Sequence, residues 1–234
     1  MKSTTEGEDE RGGMTARLVR ATLELLAEAG PAEIKARRIT DRIGVSTVAI
    51  YHHFGGLNEL LEAVVNEGYS MLRVALEETR QLADDPSAEL FAMALATRDI
   101  AQRNPHLYDM MFGLSIRGTY RVAATPDSPR ASLFASTYAV LVDACRRLVD
   151  AGRTTNVDAD QVAAELWSLI HGFVTLEAVG HFNHVDDPAD SILAPMAVRH
   201  LVGMGDEADR ATRGAATARR WWLTGAGGRQ PKPG

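Results

Sequence analysis

Residues 47–53 form the segment whose side chains have the clearest chemical use. The segment is Thr-Val-Ala-Ile-Tyr-His-His, so small methyl-bearing groups come first and hydrogen-bonding tips follow. Methyl groups fit the C5-methyl of thymine, whereas hydroxyl and imidazole groups bond to phosphates or base edges. On a short helix, the following side chains would offer this chemistry: Thr47, Val48, Ala49, Tyr51, His52 and His53. The pattern predicts a helix that enters a DNA major groove.

A helix-turn-helix is expected to hold this segment in place. Ile39 and Ile43 lie four residues apart on a first helix, and Gly44 supplies the backbone freedom that a sharp turn needs. Ser46 is expected to cap the second helix, where Ile50 begins a second apolar pair at the same spacing. The two helices are predicted at residues 36–43 and 47–53.

Residues 14–65 resemble the N-terminal domain of TetR-type transcriptional regulators. The likeness runs through Leu25-Leu-Ala-Glu-Ala-Gly30, Gly44-Val45-Ser46 and Ile50-Tyr51-His52-His53-Phe54. It implies a DNA-binding head of three helices, in which Arg37 matches a family DNA-contact position. Arg38 is a weaker candidate for the same role.

Departures from the family pattern bear on DNA affinity. Thr47-Val48-Ala49 replaces the common Lys-Gly-Thr, and Thr40 stands where alanine is usual. Leu57 occupies the position where the family usually has a lysine that holds phosphate. The resemblance therefore implies weaker contact with the DNA backbone at this point.

The C-terminal half contains Trp167-x-x-x-His171-Gly172, which is similar to the Trp-His-Gly signature of one subgroup of TetR-type effector domains. Trp167 and His171 share a helix face, and Gly172 costs roughly 1 kcal/mol in a helix interior, so it is expected to permit close backbone approach. The functional interpretation is a ligand pocket with His171 as its polar group. Its apolar wall would be Met110, Met111, Phe112, Phe134, Tyr138 and Trp167. The alternative is a core tryptophan, a hydrogen-bonded core histidine and a packing glycine.

The remaining apolar periodicity predicts an all-α chain. A long helix is expected from Leu57, followed by helices at about 87–103, 105–113, 130–152, 158–181 and 188–203. The predicted division is a disordered arm (1–13), a helix-turn-helix domain (14–57), a larger helical ligand-binding and dimerisation domain (58–203) and a basic, partly disordered tail (204–234), with 225–234 disordered.

Composition and charge agree with a DNA-binding head on an acidic body. The net charge of the 234 residues is -6, yet residues 14–57 carry 6 basic and 4 acidic side chains against 11 and 20 in residues 58–203. Phosphate attracts the first segment and repels the second. The single Cys145 excludes an internal disulfide, and no apolar run reaches the length of a membrane span. We expect a soluble cytoplasmic protein with no membrane contact and no cofactor.

In the family, the last two long helices pack against their copies in a second subunit. The resemblance assigns these candidate interface or core residues: Ala164, Leu169, Val174, Ile192, Met196 and Leu201. A homodimer on a two-fold DNA site is also physically expected, because one short helix in one groove gives little affinity.

The sequence thus predicts a ligand-responsive regulator, a repressor released from a palindromic double-stranded DNA operator by a small apolar effector molecule. One alternative is an architectural or adaptor protein whose body binds a protein partner. Another is a helical enzyme that uses His171 with Asp143 or Glu177 as acid and base. The chain has no nucleophile elbow, phosphate loop or metal set, so it is predicted not to be an enzyme.

Further motifs have simpler interpretations. His181-x-x-His184 with Asp186 and Asp187 has the residue types of a metal site, but a polar loop before Pro188 explains it more simply, and no metal is predicted. The segment Arg219-Arg220-Trp221-Trp222 has the composition to dock on a membrane, on DNA or on its own body. Folding back to bury both tryptophans is the favoured interpretation.

Overall fold

The structure is a computed structural model that describes residues 3–113 and 129–225, and no β-strand occurs in these ranges. Ten α-helices form the described part of the chain: α1 (Ser3–Ala29), α2 (Ala36–Ile43), α3 (Val48–Phe54), α4 (Leu57–Glu78), α5 (Pro86–Arg103), α6 (Pro105–Phe112), α7 (Pro129–Asp150), α8 (Ala159–Ala178), α9 (Ala194–Gly203) and α10 (Ala208–Leu223). The all-α prediction is confirmed. None of the helices in these ranges combines the length and apolar character that a membrane crossing requires.

The chain divides into two compact units. The first contains Met1–Tyr69 and Asn104–Leu133, and the second contains Ser70–Arg103 and Phe134–Gly234. The domain bounds predicted from the sequence remain a prediction.

In the first unit, helix α1 buries Leu18, Leu25 and Leu26, as its periodicity predicts. Gly30, at φ 74°, ends the helix before Pro31. The helix begins at Ser3, so residues 3–13 continue α1 in this structure where the sequence predicts a disordered arm. The segment lacks proline and contains several glutamates, which are good helix formers.

The predicted helix-turn-helix is present as α2 and α3. Gly44 has φ 70° and ends α2, and Ile39 and Ile50 are fully buried on the facing sides of the two helices. The Ser46 cap is a wrong prediction. Helix α3 begins at Val48, its cap position is Thr47, and Ser46 accepts a 3.0 Å bond from the Ala49 N–H through its backbone carbonyl.

Helices α4 and α6 meet closely within the first unit. A Cβ on Gly68 would lie 2.6 Å from Met111 Sδ and 3.2 Å from Leu107 Cδ1, so glycine permits this approach. The Tyr69 hydroxyl donates a 2.8 Å hydrogen bond to the Met111 carbonyl oxygen. This bond satisfies a carbonyl at the end of α6 that has no partner within the helix.

Helix α5 is the central helix of the second unit. Nearly all of its first half is buried, including the charged Glu89, whose Oε1 lies 2.5 Å from Arg147 Nη2 on α7. A carboxylate is tolerated at such a site only with a paired charge. The bounds of α5 to α9 lie within a few residues of those predicted, except that a π-helical turn at Ala189–Leu193 precedes α9.

Helix α10 is absent from the sequence prediction, which assigns residues 204–234 to a tail. The helix packs along α5 and buries Ala211, Gly214, Ala218 and Trp222. Burial of Trp222 confirms that this segment folds back on the body, while Trp221 is half-buried. Gly225 is exposed, and residues 226–234 of the predicted disordered end lie outside the described residues.

A buried ion pair fixes the segment before α10. Arg153 Nε lies 2.5 Å from Asp206 Oδ1, and Arg153 Nη2 donates a 3.0 Å hydrogen bond to the Ser87 hydroxyl. Both charged side chains are almost fully buried. Each charge compensates the other, which is the condition for burying either.

Candidate nucleic-acid interface and ligand site

Among the side chains of residues 47–53 that the sequence assigned to DNA contact, Val48, Tyr51 and His52 are exposed, and Thr47, Ala49 and His53 are half-buried. Val48 is 67% and Tyr51 is 64% exposed, whereas Ile50 between them is fully buried. The buried Ile50 fixes the rotation of the helix, so the opposite face must point to solvent. The rings of His52 and His53 meet edge to face at 5.0 Å. Helix α3 and its cap residue thus carry six of the eight predicted contact residues, namely Thr47, Val48, Ala49, Tyr51, His52 and His53, and the other two, Arg37 and Arg38, lie on α2.

Ion pairs join α2 to α1 beneath this surface. Arg42 donates to Glu24 Oε2 at 3.0 Å and to Glu28 Oε2 at 2.8 Å, and the hydrogen bond from Arg42 holds the pKa of the Glu28 carboxyl below its usual value. Arg17 Nη2 donates to the Ile43 carbonyl oxygen at the end of α2 at 3.1 Å. Exposed pairs contribute little stability, so their main effect is to orient α2 and the turn that follows.

The two arginines predicted at the start of α2 differ in availability. The side chain of Arg37 is 88% exposed, and its Nε is 3.8 Å from Asp41 Oδ2. Arg38 bonds directly to Glu33, which offsets part of its charge. Arg37 is therefore the better placed of the two to meet a phosphate.

Four of the seven residues predicted for a ligand pocket form an aromatic cluster on α7 and α8 in the second unit. The centroid of the Trp167 ring lies 4.1 Å from that of His171, 5.4 Å from Tyr138 and 5.9 Å from Phe134. Burial lowers the pKa of His171 to about 4, so its imidazole is neutral at pH 7. A neutral imidazole offers one donor and one acceptor, which suits a polar ligand without a charge.

The other three predicted pocket residues lie on α6 in the first unit. Met111 is buried, and Phe112 packs against Tyr108 and Tyr69 with ring centroids 4.7 and 5.9 Å apart. Met110 is half-buried. The structure thus divides the predicted wall between two units, and a single pocket built from all seven residues remains a prediction.

The close backbone approach expected at Gly172 does not occur within the described part of this chain and stays a prediction for a second subunit. A Cβ added there would meet nothing within 4 Å in this chain, and the residue is exposed. No backbone in the described chain makes the close approach that was expected. Among the other residues predicted for an interface or core, Val174 and Leu201 are buried, Ala164 is exposed, and Leu169, Ile192 and Met196 are half-buried.

Within the described chain, the groups required by the enzyme and metal alternatives already have other partners or lack further ligands. Glu177 accepts three hydrogen bonds from Arg98, at 3.1, 2.8 and 2.7 Å, and Asp143 lies 2.5 Å from Arg146. Neither carboxylate is an unengaged base for His171. His181 and His184 lie in the polar segment after α8, and the described residues hold no group of three or more potential ligands for a metal ion.

A groove that the sequence prediction missed lies between α5, the segment 189–199 and α10. Its volume is about 500 Å³, and its walls include Phe91, Leu193 and Ala215. None of the seven predicted pocket residues lines it. The only feature of the sequence that relates to this groove is the run of small residues in α10. These residues indicate a groove only when the packing of α10 on α5 is known.

The family follows from comparison of the chain with known proteins. The model of bacterial regulatory proteins of the tetR family matches residues 18–64, and that of the tetracyclin repressor-like C-terminal domain matches residues 90–201. The chain belongs to the TetR family of DNA-binding transcriptional regulators. The family and the relatives below indicate a transcriptional regulator.

Individual relatives support the assignment. The chain is 24% identical over 197 residues to the HTH-type transcriptional regulator Rv1816 of Mycobacterium tuberculosis. The matched region covers 74% of this chain and 84% of that protein. A structure from Rhodococcus sp. RHA1, described as a protein of unknown function, has a TM-score of 0.71 at 23% identity over 82% of this chain and 96% of that one. RolR in complex with resorcinol has a TM-score of 0.59 at 19% identity over 89% and 96%. At these identities, the two structures show a shared fold.

Proposed function

We propose that this TetR-family protein is a homodimeric repressor that leaves a palindromic operator when a small apolar molecule binds its body. The observation that carries the proposal is the exposed face of α3. Val48 and Tyr51 face solvent, although a helix that served only to pack in a bundle would bury such side chains. An exposed face of this kind on the second helix of a helix-turn-helix is expected to contact DNA.

Each part of that face has its own role in the proposal. Val48 and Ala49, with the methyl group of Thr47, contact thymine methyl groups in the major groove. Tyr51 and the two histidines bond to phosphates or base edges. Arg37 contacts the DNA backbone, and Arg38 contributes less because its ion pair with Glu33 offsets part of its charge. Residues 14–57 are thus the proposed DNA-binding domain.

The proposed dimer forms through the outer face of α8, with residues 58–203 as the ligand-binding and dimerisation domain. That face exposes Ala164, Ser168 and Gly172, followed by the apolar Leu176 and Val179, the latter 69% exposed. Small residues allow two helices to approach closely, and exposed apolar side chains next to them gain from burial. Two copies of α3 then read two half-sites about 34 Å apart.

The proposed effector binds at the aromatic cluster around Trp167. Three aromatic rings supply apolar contact, and the neutral His171 supplies a polar group that fixes orientation. RolR, which shares this fold, was solved with resorcinol, a small aromatic molecule with hydroxyl groups. A ligand of that size and polarity suits the Trp167 cluster.

Release from DNA requires that the ligand favours one arrangement of the two heads over another. To move the dimer from almost entirely bound to almost entirely free, this preference must be about 5.5 kcal/mol. A ligand that binds both arrangements equally tightly would change nothing. Because such a regulator acts on chromosomal DNA, we propose a cytoplasmic location.

The dimer is tested by Gly172→Glu, which adds a charge where this chain leaves open space, so the subunit itself should fold normally. Sedimentation should show a dimer for the wild type and a monomer for the variant. Val74→Glu, at an exposed position on α4, is the matched control and should remain dimeric. A dimeric Gly172→Glu protein would place the interface elsewhere.

The effector site is tested with resorcinol as the probe. Titration calorimetry of the full chain should show binding that Trp167→Ala removes, and the same concentrations should release operator DNA. Binding of resorcinol without release of the DNA would favour the alternative in which residues 58–203 bind a protein partner. Binding that survives Trp167→Ala would remove the aromatic cluster from the proposal.

A further inference from the structure

The groove between α5, the segment 189–199 and α10 is a site of its own. It shares no lining residue with the aromatic cluster around Trp167. Phe91 and Leu95 of α5 form one wall, and Leu193 and Val198 form the wall opposite. A volume of about 500 Å³ is within the range of small-molecule sites in proteins.

The packing of α10 explains why this groove stays open. Gly214 lies so close to the start of α5 that an added Cβ would be 2.3 Å from Ser87 Oγ and 3.1 Å from the backbone nitrogen of Ala88. On the neighbouring flank, α10 lines the groove with Thr212, Ala215, Ala216 and Arg219, and the two alanine side chains in the middle are too short to fill it. The helix is therefore held tightly along one line and leaves space beside it.

One arginine at the groove, Arg199, is available to bind an anion. Arg219, from α10, donates to Asp190 at 3.1 Å and also bonds to Asp187, so two carboxylates already engage its guanidinium. Arg199, from α9, lines the groove as well, and the described part of the chain contains no ion-pair partner for it. Together with Asp187, the charged residues at the groove are two arginines and two aspartates, and Arg199 is the arginine of the two that has no carboxylate of the described residues bonded to it.

We propose that this groove binds a small amphipathic organic anion. The apolar part of the ligand lies against Phe91, Leu95 and Val198, and its carboxylate or similar group bonds to the Arg199 guanidinium. Burial of the apolar part supplies most of the affinity, and Arg199 selects an anion over a neutral molecule of the same shape. The site does not depend on DNA recognition, so its failure would leave the proposed function as it stands.

The test compares sodium decanoate with 1-decanol, which have the same number of carbons and differ in charge. Calorimetry with the full chain near pH 7.5 should show one decanoate per subunit and weaker binding of decanol. Arg199→Gln should weaken decanoate binding about tenfold or more and leave decanol unchanged, because a hydrogen bond to a charged group is lost. Arg213→Gln, at an exposed position on α10 that does not line the groove, is the matched control and should bind both as the wild type does.

A second variant tests the location. Ala215→Trp should fill the groove and remove binding of both ligands, with circular dichroism to show that the variant is folded. Trp167→Ala should leave decanoate binding unchanged, since Trp167 is not part of the groove. The proposal is overturned if decanoate fails to bind, if Arg199→Gln binds it with wild-type affinity, or if Trp167→Ala removes the binding.

Discussion

Burial of His171 predicts that the folded protein loses stability as the pH falls below about 6.5. Burial lowers the pKa of His171 from 6.5 to about 4. In the unfolded chain the imidazole binds a proton near its ordinary pKa, while in the folded chain it stays neutral until about pH 4. The stabilising effect is therefore fully present above pH 6.5 and is lost progressively as the pH falls towards 4.

The size of this effect follows from the two pKa values. Over the whole interval the difference of about 2.5 pKa units corresponds to about 3 kcal/mol, and between about pH 8 and pH 5 it amounts to about 2 kcal/mol. Carboxylates also titrate near the lower end, so the wild type alone does not isolate His171. His171→Gln removes the titration and keeps a polar side chain of similar size.

The assay is urea unfolding at fixed protein concentration, near pH 8 and near pH 5. The free energy of unfolding of the wild type should fall by about 2 kcal/mol more than that of His171→Gln. His184→Gln, at an exposed position, is the matched control and should fall as the wild type does. An equal fall in wild type and His171→Gln would refute the reasoning that His171 is buried in its neutral form.

Other perturbations have equally definite outcomes. Leu57→Lys restores the phosphate-binding residue of the family, so it should raise affinity for all DNA sequences and steepen the salt slope by roughly one unit in fluorescence anisotropy; an unchanged slope would mean that the side chain does not face phosphate. Gly214→Ala should lower the free energy of unfolding by about 1–3 kcal/mol in urea titrations, because the added Cβ would overlap Ser87 and the backbone of Ala88. In dilute solution where the chain is monomeric, Gly172→Ala should stabilise it by roughly 0.5–1 kcal/mol through helix propensity, and destabilisation would reveal a contact within the subunit.

The sequence predicts those parts of the fold in which local pattern decides the structure. The spacing from Ile39 to Phe54 predicts α2, the turn at Gly44 and α3, because two apolar pairs and a glycine specify the motif locally. Prolines and Asp-Pro pairs predict the ends of α5, α6 and α8 to within a few residues. Exposure of Val48 and Tyr51 follows from the burial of Ile50.

Features that depend on distant contacts could not be predicted. Apart from Trp222, helix α10 buries only alanines and a glycine, which give almost no hydrophobic signal, and its position depends on α5 more than 100 residues earlier in the chain. The groove beside it follows from that packing. The predicted ligand wall combined Met110 and Trp167 because both are apolar, but composition does not reveal which unit holds each residue. Contacts between separate helices require the tertiary structure.

Recognition of a specific DNA sequence by α3 is the central claim, and fluorescence anisotropy tests it most directly. The DNA is the region upstream of the protein's own gene, measured at two salt concentrations against a scrambled competitor. The wild-type dimer should bind a palindromic site specifically, Tyr51→Ala should weaken this binding about tenfold or more, and Val74→Ala should not change it. Specific binding that is unchanged in Tyr51→Ala would contradict the assignment of α3 as the recognition helix.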